Sequence, residues 1–190
     1  MKTFFSSDYH LGHSNIIKYD ERPFVTVDEM DEAIINNHNK VIGPDDEFYF
    51  LGDFSFNKDK TDWYLSRLNG KKYFIKGNHD YSETVELYKK HGDYLEHMEE
   101  INVKGQKITL CHYAMKVWNR SHHGSLHLYG HSHHSLPDDP NSLSFDVGIN
   151  GKDYYYTPLS FDQVMKKMSS KTFKPLDHHT GRHNIKTKIK

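Results

Sequence analysis

Apolar and polar positions along this chain follow two different periods, and the switches between them outline its elements. Lys2 to Ser7 is an extended run, rich in Thr and Phe, that breaks at the polar turn Asp8-Tyr9-His10. Thr26 to Val41 has a helical period, with Met30, Ile34 and Ile35 on one face and Asn37 and His38 read as part of the solvated side. Thr26 and Glu29 stand in capping-box spacing, and Gly43-Pro44 stops the helix. Glu47 to Leu51 predicts a second strand ending at Gly52-Asp53, and Lys72 to Ile75 a third ending at Gly77-Asn78-His79-Asp80. Helices over Thr61 to Leu68 and Glu83 to Lys90 follow these two strands.

From Tyr94 onward the period becomes that of strands. Ile101 to Val103 and Lys107 to Cys111 flank Lys104-Gly105-Gln106 as a hairpin. Leu126 to Tyr129 runs into Gly130-His131-Ser132-His133, and Leu143 to Val147 predicts another strand. Ser160 to Met168 is a closing helix, with Ser160 and Gln163 in capping-box spacing. Strands that alternate with helices first and predominate later predict an α/β sandwich with mixed sheets. Residues 1–170 form one domain in this reading, and residues 171–190 a basic, His-rich tail.

Composition changes this picture in a few places. A chain of 190 residues can bury a core without disulfide staples, and 13 Tyr and 11 Phe supply packing surface where the apolar fraction is only 35%. The 25 basic and 26 acidic residues nearly cancel, so whole-chain charge points to neither a nucleic-acid nor a membrane partner. The single Cys111 excludes an intrachain disulfide and fits a reducing, cytoplasmic setting. Neither a membrane span nor a leader is expected, since MKTFF runs straight into Ser-Ser-Asp. The number that stands apart is 16 His, the commonest metal ligand.

Those histidines are not scattered. The first three predicted strands, the hairpin strand and the Leu126 strand each end in potential ligands: Asp8 and His10, Asp53, Asn78 and His79, His112, and His131 and His133. Strand ends on one side of a sheet converge. Asp8 and His10, like His131 and His133, are two residues apart, so on extended chain both members of each pair point the same way. Gly52, Gly77 and Gly130 precede ligand candidates, where the backbone must turn close to a site. The donors are oxygen and imidazole nitrogen without thiolate, which suits Mn²⁺, Fe, Zn²⁺ or Ni²⁺.

Together, Asp8-x-His10, Gly52-Asp53, Gly77-Asn78-His79-Asp80, His112 and Gly130-His131-Ser132-His133 resemble the blocks of the calcineurin-like metallophosphoesterases, in that family's order across residues 8–133. Asp8-Tyr-His10-Leu-Gly-His13, Arg22-Pro23-Phe24 and His112-Tyr113-Ala114-Met115 resemble a small bacterial and phage branch of phosphoesterases. The resemblance implies a four-layer sandwich of two mixed β-sheets flanked by helices. It also implies two divalent metal ions, with Mn²⁺ favoured. Asp8, His10 and His133 would hold the first metal, Asn78, His112 and His131 the second, and Asp53 would bridge them. His79 would be the catalytic histidine beside the leaving group, oriented by Asp80. Hydroxide bridging the metals would attack the phosphorus directly.

The remaining candidates are weighed one by one. His13 either contacts substrate or a ligand, or caps a short helix before Ile16. Arg22 matches phosphate geometry, although a surface arginine is the ordinary outcome. Trp118 and Arg120 could stack on and grip a nucleotide, against core packing for Trp118 and plain solvation for Arg120. His134 should point away from the ligands, and Cys111 should be buried. Lys171, Lys174, Arg182, Lys186, Lys188 and Lys190 in the tail could touch nucleic acid, but such tails more often solubilise or mediate oligomer contacts. The expected partner is a small phosphorylated, nucleotide-like substrate cleaved as a phosphodiester. A phosphomonoesterase, a nucleoside-polyphosphate hydrolase and a non-catalytic scaffold are the alternatives.

Overall fold

In the computed structural model, which describes residues 1–151 and 154–177, the chain folds into two mixed sheets with helices around them. The first sheet is built from β1 (Thr3–Ser6), β2 (Glu47–Phe50), β3 (Lys71–Phe74), β4 (Asp93–Tyr94) and β9 (Leu159–Ser160), in the order β4-β3-β2-β1-β9. β1 to β4 run parallel, and β9 pairs antiparallel with β1. The second sheet comprises β5 (Met98–Val103), β6 (Gln106–Cys111), β7 (Leu126–Tyr129) and β8 (Ser144–Asp146), with an antiparallel β5–β6 pair and parallel pairs beyond it. The α/β class with two mixed sheets is the one expected from the sequence.

Alternation along β1 and β2 explains the layers. Phe4, Phe48, Phe50 and Phe74 face a cluster shared with Met30, Ile34 and Ile35 of α2 (Val27–Val41), with Tyr64 and Leu65 of α3 (Lys58–Arg67) and with Tyr88 of α4 (Ser82–His91). Phe5, Tyr49, Leu51 and Ile75 face the other way, onto Ile108, Leu110, Leu126, Leu128 and Phe145 of the second sheet. A parallel sheet covered on both faces needs this doubly apolar pattern. The closing helix α5 (Phe161–Ser169) adds Phe161, Val164 and Met168 to the inter-sheet cluster, and its Ser160–Gln163 capping box forms in full.

Local chemistry sets the element ends. Thr26 accepts the Glu29 amide hydrogen as a cap, while the Glu29 carboxylate reaches one residue further back, to the Val25 amide. Asn57 caps α3 by accepting from the Lys60 amide, so this helix starts earlier than its apolar pattern shows. Lys104 and Gly105, with φ of 51° and 87°, make the β5–β6 turn of two left-handed residues that matches strand twist. The four-residue helix α1 (Ile16–Tyr19) starts on the His13 carbonyl, which accepts from the Ile16 amide.

Two expectations are corrected here. His38 is fully buried, between the Tyr9 hydroxyl at 3.0 Å and the Asn69 carbonyl at 3.0 Å, and is no part of a solvated face. Cys111 is only half-buried at the end of β6. The start of the tail is docked: Thr172 and Lys174 donate backbone hydrogens to Pro140 and Asn141, and Phe173 packs on the inter-sheet cluster. Arg182, Lys186, Lys188 and Lys190 lie outside the described residues. Among the described residues no helix is long and apolar enough to cross a membrane.

Candidate metal centre

The candidate ligands leave the strands on kinked backbone, and the kinks bring them together. Asp8, His10, Asp53, His131 and His133 have φ of 58°, 52°, 62°, 65° and 47°. Non-glycine residues in this left-handed region cost about 1–2 kcal/mol each, and such strain gathers at functional sites. The extended-chain argument for the pairs Asp8/His10 and His131/His133 is therefore corrected. β1 ends at Ser6 and β7 at Tyr129, so both pairs lie on coiled rather than alternating chain: Asp8 and His10 meet in one group, while His131 and His133 part into two.

The loops after β1 and β2 hold each other in this shape. Asp8, His10 and Leu11 donate amide hydrogens to the carbonyls of Gly52, Asp53 and Phe54 at 3.0, 3.1 and 2.9 Å. Arg22 secures the same bend from below. Its guanidinium is buried and donates to the Asp8 carbonyl at 2.9 Å, to the Tyr9 carbonyl at 2.8 Å and to Asp20. It is neither the surface residue nor the phosphate contact expected from sequence. Glycines leave room for the ligands: a Cβ on Gly77 would lie 2.2 Å from Asp53 Oδ1, and one on Gly130 would lie 2.5 Å from Asp8 Oδ2.

Two donor groups result. Asp8, His10 and His133 form the first, and Asp53, His112 and His131 the second, each with its donor atoms within 4.8 Å of one another. In the first, His133 Nε2 lies 3.7 Å and His10 Nε2 3.9 Å from Asp8 Oδ1. In the second, His112 Nε2 lies 3.4 Å from Asp53 Oδ2. Asn78 Oδ1 joins it, 3.0 Å from His112 Nε2 and 2.8 Å from His131 Nδ1. Asp53 Oδ2 is also 3.8 Å from His10 Nε2, so this carboxylate oxygen stands between the groups.

The donor set fits divalent cations. Asp8 and Asp53 are two buried carboxylates, and the charge of Asp53 adds to the burial that raises the proton affinity of Asp8, an arrangement that a cation relieves. Burial, partly offset by His133 and His112, pushes the Asp8 carboxyl up to about 7. Burial drives His10 down to about 2, which keeps its imidazole neutral and able to ligate. For His112 burial acts downward too, but the hydrogen bond to Asp53 and the charges of Asp8 and Asp53 outweigh it and lift the ring to about 9. A cation bound there would have to displace that proton. His112 Nδ1 lies 2.7 Å from the Leu51 carbonyl and His133 Nδ1 lies 2.6 Å from Asp20 Oδ2. Each contact leaves Nε2 facing its group, as ligating histidines require.

The other candidates fall in different places. His79 is half-buried beside the centre; its amide donates to Asp53 Oδ1 at 2.8 Å, and its ring lies 5.8 Å from that of His10 and 4.7 Å from that of Phe56. Asp80 does not orient that ring, as sequence suggested. Its buried carboxylate accepts from the amides of Gly77, Asp53 and Phe54 at 2.8, 2.9 and 3.2 Å, and so clamps the β2 loop to the β3 loop. The His13 ring stacks on Phe56 at 4.0 Å, 5.9 Å from His10, while its backbone rather than its ring starts α1. Trp118 is in the inter-sheet cluster and donates to the Ser125 carbonyl. Arg120 lines a groove with Glu100, Asn102 and Lys107 on the second sheet. His134 faces Gly148 and Asp146.

Sequence reasoning missed three contributors. Ser7 donates its hydroxyl to Asp8, Asp20 backs His133, and Tyr113 sets its exposed ring edge-on to His131 at 4.7 Å. Ser7 and Tyr113 adjoin ligands in the chain and could have been noted for that. Asp20 has no local signal, because it meets His133 only through the fold.

Comparison with known proteins gives consistent results. Residues 1–146 match the calcineurin-like phosphoesterase superfamily domain. The chain is 34% identical over 173 residues to the uncharacterized protein MJ1445 of Methanocaldococcus jannaschii, covering 87% of this chain and 90% of that protein. It is 33% identical over 82 residues to the Gene 66 protein of Mycobacterium phage L5, covering 41% of this chain and 39% of the phage protein. Among solved structures, a protein of unknown function from Aquifex aeolicus superposes with a TM-score of 0.66 at 25% identity, covering 87% of this chain and 98% of that one.

Proposed function

The chain belongs to the calcineurin-like phosphoesterase superfamily, and from that premise we propose that it hydrolyses phosphodiesters of nucleotide-like substrates with two divalent metal ions, Mn²⁺ foremost. One observation carries the reading: Asp53 offers Oδ2 to both donor groups, 3.8 Å from His10 and 3.4 Å from His112, while its Oδ1 accepts the His79 amide hydrogen. Bound metals would supply an activated water and stabilise charge on the phosphoryl oxygens.

The rest of the chemistry belongs to the chain's own residues. Water's oxygen bonds to phosphorus while the ester bond to the leaving alcohol breaks. The departing oxygen takes a proton from the His79 ring, and the proton lost by the water passes to solvent. Asp80, through three backbone amides, fixes the distance between the Asp53 loop and the loop that carries His79. A diester is favoured over a monoester because Arg22, the cation that a dianion would use, is committed to Asp20 and two carbonyls. Asn78 and His131 are exposed at the mouth, which leaves room for two ester arms. The lone half-buried Cys111 supports a reducing, cytoplasmic setting.

Chelator-stripped protein reloaded with Mn²⁺ should hydrolyse bis-p-nitrophenyl phosphate with higher kcat/KM than p-nitrophenyl phosphate. His79→Ala should lower kcat about 100-fold or more at unchanged metal content. Preference for the monoester, or turnover indifferent to metal, would overturn the reading.

A further inference from the structure

On the His79 side of the centre lies a cleft of about 430 Å³, counting its solvent-open mouth, lined by Phe56, Lys58, His79, Tyr81, Thr84 and Leu87 among others. The loop after β2 and the first turn of α3 form one wall, and the loop after β3 and the first turn of α4 form the other. Two aromatic rings stand exposed here: Phe56 at 38% and Tyr81 at 59%. Phe56 is backed by the stacked His13 ring and lies 4.7 Å from His79. Tyr81 precedes α4 without a side-chain capping bond, so helix capping does not account for its side chain.

Resting on the phosphodiesterase reading above, we infer that this cleft is the leaving-group subsite, and that it takes an uncharged aromatic group, a nucleoside rather than a nucleotide. Position supports the first half. The group that receives a proton from His79 must lie on its side of the phosphorus, and His79 forms part of the cleft wall. Lining chemistry supports the second. Phe56 and Tyr81 offer flat faces for a base, which stacks on such rings regardless of its identity, and Leu87 adds apolar contact. The cation at the rim is already matched, because Lys58 Nζ lies 3.8 Å from Glu83 Oε1. A second phosphate would meet the Glu83 carboxylate as well as the Lys58 ammonium. Trp118 and Arg120, the nucleotide contacts suggested by sequence, lie elsewhere, and Phe56 and Tyr81 take that place.

Steady-state kinetics on the Mn²⁺-loaded full chain test this, with bis-p-nitrophenyl phosphate as substrate and adenosine as competing probe. Tyr81→Ala should raise KM and the adenosine inhibition constant about tenfold, a typical loss for one stacked base, with kcat changed less than twofold. Tyr81→Phe, which keeps the ring, should restore both. If turnover is metal-dependent but Tyr81→Ala leaves KM and adenosine inhibition unchanged, the subsite assignment falls and the phosphodiesterase reading stands. Failure of Tyr81→Phe to restore them would also overturn it. If no ester is cleaved, the earlier reading fails, and the cleft is judged by adenosine-induced amide shifts in NMR. Shifts at Phe56, Tyr81 and Thr84 support the inference, and shifts confined elsewhere or absent overturn it.

Discussion

The two donor groups share a carboxylate and the same kinds of atoms, yet they are built differently. In the first, Asp8 and His10 are buried, His133 is half-buried, and Asp20 with Arg22 stands behind His133 as a charged second layer. In the second, Asp53 and His112 are buried, but His131 and Asn78 are exposed, and the backing of His112 is a neutral carbonyl. Burial and charged backing favour tight retention of a cation. Exposure favours exchange and contact with substrate. The contrast teaches that one centre can combine a held ion with an accessible one, through the layer behind the ligands rather than the ligands themselves.

The strongest way to break this comparison is to remove what the groups share. Asp53→Ala should lower turnover by at least about 1,000-fold, since several kcal/mol of charge stabilisation depend on the metal pair. Metal analysis should find loss from the second group first. Retention of two ions with near-normal activity would show that Asp53 does not couple the groups.

A smaller effect sharpens the contrast. Asp20→Asn keeps the shape of the residue that backs His133 but removes its charge, and should weaken metal binding at the first group about 10–100-fold. Calorimetric titration should show the tighter of two sites becoming weaker while the other holds. Equal weakening of both would contradict the separate construction of the groups.

How much of this was visible in sequence differs between the parts. Strand ends just before Asp8, Asp53, Asn78, His112 and His131 were legible because short apolar runs stop at polar turns there. His38 was legible in principle: it falls three and four residues after Ile35 and Ile34, on the buried face of α2, and its polarity alone suggested solvent. The left-handed kinks were not legible, because non-glycine residues adopt them only when the surrounding structure insists. Asp20, the Asp80 clamp and the cleft beside His79 depend on segments tens of residues apart, and no local period records such meetings.

The comparison also has a pH below which it is blurred. His38 and His127 lie outside both groups, fully buried, and burial lowers each to about 4. Their ordinary value is near 6.5, so both states are neutral above that pH. As pH falls from 6.5 towards 4 the unfolded chain gains protons that the folded one refuses, and stability is lost. The loss should reach about 1.4 kcal/mol per histidine near pH 5.5. Asp8 and His10 titrate across the same window, so the reading is the difference in urea unfolding between the metal-free protein and His38→Gln from pH 7.5 to 4.5: the variant should lose about 1.4 kcal/mol less by pH 5.5. A difference that does not change between pH 6.5 and 5 would contradict the buried neutral state of His38.

The central claim is that catalysis needs both groups filled, the more exposed one last. It is tested most directly by adding Mn²⁺ stepwise to metal-free protein while following bis-p-nitrophenyl phosphate hydrolysis and bound metal together. The account predicts little turnover through the first equivalent, a rise with the second, and a plateau at two ions per chain. Full activity at one equivalent would contradict it.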